Sequence, residues 1–162
     1  MMLLGFPDAS VLMEQLTRLG IAYVLTAIIG WDREREERSA GLRTFPIVGL
    51  ASCGYLLLML PQSDLAAQSR VLQGLITGIG FVGGGAILKE GASVKGTATA
   101  ASIWNAGAIG AAAAMGEYGI AIVLTILNLV TLRGLLPLKL RIDSKNRRAP
   151  GEASPPPDGK AS

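Results

Sequence analysis

Histidine is absent from the 162 residues, cysteine occurs once, and only 17% of the chain is charged. Without histidine there is no imidazole general acid or base, no Ser-His-Asp triad and no histidine-ligated metal. One cysteine, Cys53, excludes an intrachain disulfide and a four-cysteine zinc site. No neighbour of Cys53 in sequence would lower its pKa, so it reads as a small, inert apolar residue. Charge is also missing locally. Five stretches carry no Asp, Glu, Lys or Arg at all: 19–31, 44–63, 71–88, 96–116 and 118–132, together 87 residues.

A helix rises about 1.5 Å per residue, so 20 residues match a hydrocarbon core about 30 Å thick. The middle three gaps reach that length alone, and the outer two do so with their flanks. Before the first gap, Glu14 and Arg18 sit at i,i+4 spacing and can pair while Arg18 snorkels toward the interface. Beyond the fifth, Arg133 can snorkel in the same way. Soluble core helices alternate apolar and charged faces at a 3.6 period, which stretches such as 100–114 do not. The pattern predicts an all-α membrane protein, a bundle of five transmembrane helices over about 11–31, 44–63, 71–88, 96–116 and 118–138.

Basic residues set the orientation. With five spans, the connections on one side hold 13 Lys and Arg and those on the other hold 2. This predicts the N-terminus outside and the C-terminus in the cytoplasm. Residues 1–10 form a short leading segment without Lys or Arg, unlike the basic region of a signal peptide, so the first span should be retained. Residues 143–162 hold four prolines and little that is bulky and apolar, and read as a disordered cytoplasmic tail. Lys139, Arg141, Lys145, Arg147 and Arg148 precede or open that tail, and their expected partner is membrane lipid, not nucleic acid.

Gly78-Ile-Gly80-Phe-Val-Gly83 matches a dinucleotide fingerprint in letters only. It lies inside an uncharged, membrane-length run, and no acid stands about 20 residues on. No cofactor is expected. In lipid, small residues let backbones approach, so Gly74, Gly78, Gly80, Gly83, Gly84 and Gly85 read as a packing face against span four or a second copy. The alternative is a helix broken at Gly83–Gly85 whose carbonyls face an ion. Asn105 is the costliest polar residue within the spans, suited to an interhelical hydrogen bond or to a pore.

The first basic connection, Asp32 to Thr44, holds four acids and four bases. A helix continuing outward would pair Arg33 with Glu37 and Glu34 with Arg38 at i,i+4. Asp32 and Glu34 at the membrane edge form a candidate cation site beside Arg33 and Arg35, where low dielectric makes an unpaired carboxylate costly. Gly41, Leu42, Arg43 and Thr44 lead into a new helix, with Pro46 in its first turn.

Gly30-Trp-Asp-Arg-Glu-Arg35, Ala40-Gly-Leu-Arg-Thr44, Gly78 to Ile87 and Val94 to Trp104, in this order and spacing, resemble the MgtC/SapB family of bacterial inner-membrane proteins over residues 12–132. The resemblance implies a five-helix membrane domain and a role in adaptation to low magnesium, with Asp32 matching the family's characteristic acid after the first span. It also implies links to magnesium transport and to inhibition of the membrane ATP synthase. Two departures matter: relatives carry a folded domain after the last span where this chain has a Pro-rich tail, and many have His where this chain has Phe45.

The expected function is a non-enzymatic membrane protein that supports magnesium homeostasis or stress adaptation by binding another membrane complex. The rival is an oligomeric cation transporter with Asp32, Glu34 and Asn105 along its path. An intramembrane protease would need paired aspartates, a Ser/His pair or a zinc motif within its spans, and the sequence holds none.

Overall fold

The computed structural model describes residues 8–59, 61, 64–91 and 93–135. The leading segment and the Pro-rich tail fall wholly or mostly outside them. The described chain forms five α-helices and one two-stranded hairpin: α1 Ala9–Arg35, α2 Thr44–Met59, α3 Leu65–Gly84, β1 Leu88–Glu90, β2 Ser93–Lys95, α4 Thr97–Ala114 and α5 Tyr118–Gly134. Two units divide it, Met1–Leu129 and Val130–Ser162. Of the second, the described part is the end of α5, where the Leu135 N–H bonds the Thr131 carbonyl at 3.3 Å.

Within the first unit, α1, α2 and α3 all pack against α4. The sequence of α4 explains why. Of its 18 residues 12 are buried, and apart from Thr99, Ile103 and Ile109 these are alanine, glycine and serine. A Cβ on Gly110 would stand 2.3 Å from the Gly49 carbonyl oxygen of α2, so the two backbones touch with no side chain between them. Across α1 and α2 the fit is as close, with Thr26 filling the space a Cβ on Gly49 would take. Buried hydroxyls do not cost unmet hydrogen bonds here: Thr26, Ser52 and Thr125 donate to carbonyls four residues back at 2.6, 2.7 and 2.9 Å.

Large apolar side chains cover the outward faces. Tyr23, Ile28, Ile47, Leu58, Val123 and Leu127 are exposed, and Phe81 is 87% exposed. Among the described residues, Ala9–Arg35 is the helix both long and apolar enough to cross a bilayer alone, and Thr44–Met59 and Tyr118–Gly134 are apolar but shorter.

Helix ends depart from the charge gaps where capping takes over. The third span was expected over 71–88, but α3 begins at Leu65, because Asp64 accepts the Ala66 and Ala67 N–H groups at 2.8 and 3.1 Å. Exposed Arg70 therefore lies inside the helix, near Asp64 at 3.6 Å. At its other end α3 stops at Gly84. The chain then forms an antiparallel hairpin that aligns Leu88 with Lys95 and Glu90 with Ser93. Gly96, with φ +88, turns this hairpin into α4. Between α4 and α5, Gly116 takes φ +79, and the Glu117 and Gly116 N–H groups bond the carbonyls of Ala112 and Ala113 at 2.9 and 3.2 Å.

Candidate functional site

The end of α1 and the connection after it form a folded knot rather than an outward helix extension. The helix stops at Arg35, and Glu37 adopts φ +51, a conformation that glycine favours. The Glu37 N–H bonds the Glu34 carbonyl at 3.0 Å and the Arg38 N–H returns to the Arg33 carbonyl at 3.2 Å. This turn removes the helical register on which the expected Arg33–Glu37 and Glu34–Arg38 pairs depended. Arg33 instead bonds Asp32 at 2.6 Å and reaches Glu36 at 3.2 Å, and Arg38 meets the same Glu36 oxygen at 3.2 Å.

Asp32 and Arg33 are each only 3% exposed. Burial of either charge alone is strongly unfavourable, and the ion pair offsets part of that cost for both. Arg33 also lies in the last turn of α1, where the helix dipole favours a cation. Glu34 points elsewhere: its Oε2 accepts the Leu42 N–H at 2.9 Å. The two carboxylates of the candidate cation site thus meet different partners. Arg35 is exposed at the helix end.

Close backbone approach brings the connection back over α1. A Cβ on Gly41 would lie 2.0 Å from Glu34 Oε2, and one on Gly30 would lie 3.0 Å from the Gly41 carbonyl oxygen. That same carbonyl accepts the N–H groups of Thr44 and Phe45 at 3.1 and 3.2 Å, starting α2. Phe45 is fully buried and Pro46 is buried beside it. The Gly-Leu-Arg-Thr run therefore places Leu42 and Arg43 outward while its glycine and the following Phe45 fix the turn.

The second connection joins this knot. Ser39 Oγ donates to the Ala86 carbonyl at 3.4 Å, and a Cβ on Gly96 would stand 2.0 Å from the same oxygen. Sequence reasoning missed Ser39, Ala86 and the shared role of Glu36, because nothing in their spacing signals contacts 47 residues apart. It also missed Arg18's long reach. Arg18 pairs with Glu14 as its spacing predicts, but its guanidinium also donates to the Ala114 carbonyl at the end of α4. A helix C-terminus with unpaired carbonyls is a natural partner for it.

The glycines of α3 divide. Gly83 packs on α4, where its Cβ would stand 3.0 Å from the Ala100 carbonyl oxygen. Gly85 caps the helix end. Gly74, Gly78, Gly80 and Gly84 have nothing within 4 Å of an added Cβ, so that part of the expected packing face is open. Asn105 is half-buried and donates to the Leu124 carbonyl at 3.3 Å, while Ser102 donates to Asn128 Oδ1 at 3.1 Å. These bonds link α4 to α5.

Comparison with known proteins places this geometry in context. The MgtC family profile matches residues 19–140. The chain is 35% identical over 130 residues to the uncharacterized protein slr0014 of Synechocystis sp., covering 80% of this chain and 56% of that protein. It is 36% identical to protein SrpB of Synechococcus elongatus, covering 75% of each. With protein MgtC of Salmonella typhimurium it shares 34% identity over 81% of this chain and 56% of that protein. The chain thus spans little more than half the length of two of these three relatives. No solved structure matches it.

Proposed function

The chain belongs to the MgtC family, and from that premise we propose that it is a multi-pass inner-membrane protein supporting magnesium homeostasis or stress adaptation by binding another membrane complex. It works without catalysis or cofactor in this reading. The activities of longer relatives enter only as far as the shared helices can carry them.

One observation carries the reading. Gln73, Thr77, Gly80 and Gly84 fall within one arc of α3 at helical spacing, and all four are exposed. An amide near the middle of a membrane helix is unfavourable against lipid, and a small-residue row beside it suits a partner helix. The ends of the helices support the membrane reading. Ser39 bonding Ala86 brings both basic connections to one end, and Arg18 meeting Ala114 lies at the other. That is the alternation expected of successive spans with the positive loops inside.

Affinity capture in mild detergent from cells short of magnesium tests it. The wild-type chain should recover a second, different membrane protein, and Gly80→Leu should lose it. Recovery of the chain alone overturns the proposal and leaves the oligomeric cation transporter, since the same face would then serve a second copy.

A further inference from the structure

Between α2 and α3 lies an open groove of about 720 Å³. Its walls include Ile47, Ala51 and Tyr55 from α2 and Gly74, Gly78 and Val82 from α3. Ser52, a hydroxyl on the wall, is already bonded to Val48 at 2.7 Å, and apart from Arg43, Thr44 and Tyr55 the rest of the lining is apolar. At one end stands Arg43, exposed, with no ion pair or hydrogen bond among the described residues. We propose that this groove holds one acyl chain of a glycerophospholipid from the cytoplasmic leaflet, with the lipid's phosphate bound by Arg43.

Depth selects the occupant. The groove runs from Thr44 to Tyr55 along α2 and from Val71 to Val82 along α3. Eleven residue steps of a helix cover about 16 Å. Half of a hydrocarbon core about 30 Å thick is about 15 Å, the depth of one leaflet. A partner helix crossing the bilayer would need twice that. Gly74 and Gly78 leave a smooth wall that a flexible chain can follow.

Charge places the headgroup. Arg43 immediately precedes α2, at the end of the molecule where both basic connections meet. A guanidinium there can make charge-assisted hydrogen bonds to a phosphate oxygen at the interface. This end is cytoplasmic only if the proposed membrane orientation holds, so the inference rests on that reading. The outward Gln73 and Gly80 row lies on a different face of α3 and stays free for a protein partner.

The test is native mass spectrometry of the full chain, reconstituted in phosphatidylethanolamine and phosphatidylglycerol vesicles and released in mild detergent. The wild type should retain one phospholipid per chain. Arg43→Ala should lower the retained fraction about tenfold, the scale of one charge-assisted contact. Gly78→Leu, which fills the groove, should abolish retention, and Gly74→Leu repeats that from the next turn. Gly20→Leu adds the same bulk where space is open and should retain the lipid. Retention by Arg43→Ala and both groove-filling variants overturns the proposal, as does equal loss from Gly20→Leu. So does a shift from oligomer to monomer in Gly78→Leu with the lipid count unchanged. Failure of the chain to incorporate into vesicles at all would sink the membrane reading first, and is read on the same sample before release.

Discussion

Arg33 is the residue on which the first connection depends. It lies between Asp32 and Glu36, and both it and Asp32 are withdrawn from water. Arg33→Ala would take its ion-pair partner from the buried Asp32 carboxylate, and removing one member of a buried pair costs up to about 3–5 kcal/mol. Thermal unfolding in detergent should show this as a large drop in Tm. Asp32→Asn should cost less, because Arg33 keeps Glu36, and the double variant should fall short of the sum. Glu37 offers a complementary check. At φ +51, a β-branched side chain is more strained than glutamate, so Glu37→Val should destabilise by about 1–2 kcal/mol. A Tm equal to that of the wild type would mean that the turn is not held in this conformation.

At the scale of elements, glycine decides how closely helices and connections approach, and each glycine can be sorted by what an added methyl would meet. Gly110→Ala would drive a Cβ into the Gly49 backbone, and Gly96→Ala would combine a backbone clash at Ala86 with a left-handed φ. Each should lose about 1–3 kcal/mol. Gly54→Ala meets open space inside α2 and should gain about 0.5–1 kcal/mol. The same distinction marks how far the sequence could be read. Five helices were legible because charge is excluded from long apolar segments, whatever their packing. Their ends were not. Asp64 starts α3 by capping it, ahead of a charged Arg70 that gap counting treats as a boundary. The Gly83–Gly85 run does end a helix, but into a hairpin whose strands are three residues each. Within the site, the sequence singled out Asp32, Glu34 and Gly41, and the structure sets Glu34 against Gly41 but Asp32 against Arg33. Their partners were not legible, since the non-glycine turn at Glu37 breaks the 3.6-residue register from which side-chain pairs are inferred.

For the whole molecule, the proposed topology turns on the side of the membrane on which each connection would lie. Arg35 ends α1 beside the first of the two connections that meet through Ser39 and Ala86, and Lys89 lies in the second, whereas Pro61 and Glu117 belong to the connections between α2 and α3 and between α4 and α5. All four residues are exposed, so a cysteine at any of them is open to a water-borne reagent. The native Cys53 is fully buried and should stay silent. Moving a basic connection across a bilayer is disfavoured, which is why Lys and Arg concentrate inside. An impermeant maleimide added to intact spheroplasts should therefore label Pro61→Cys and Glu117→Cys and spare Arg35→Cys and Lys89→Cys. Inside-out vesicles should give the reverse. Labelling of Lys89→Cys together with Glu117→Cys from one side would mean that α4 does not cross. The helix that packs against α1, α2 and α3 would then need a different environment from the one its charge-free sequence implies.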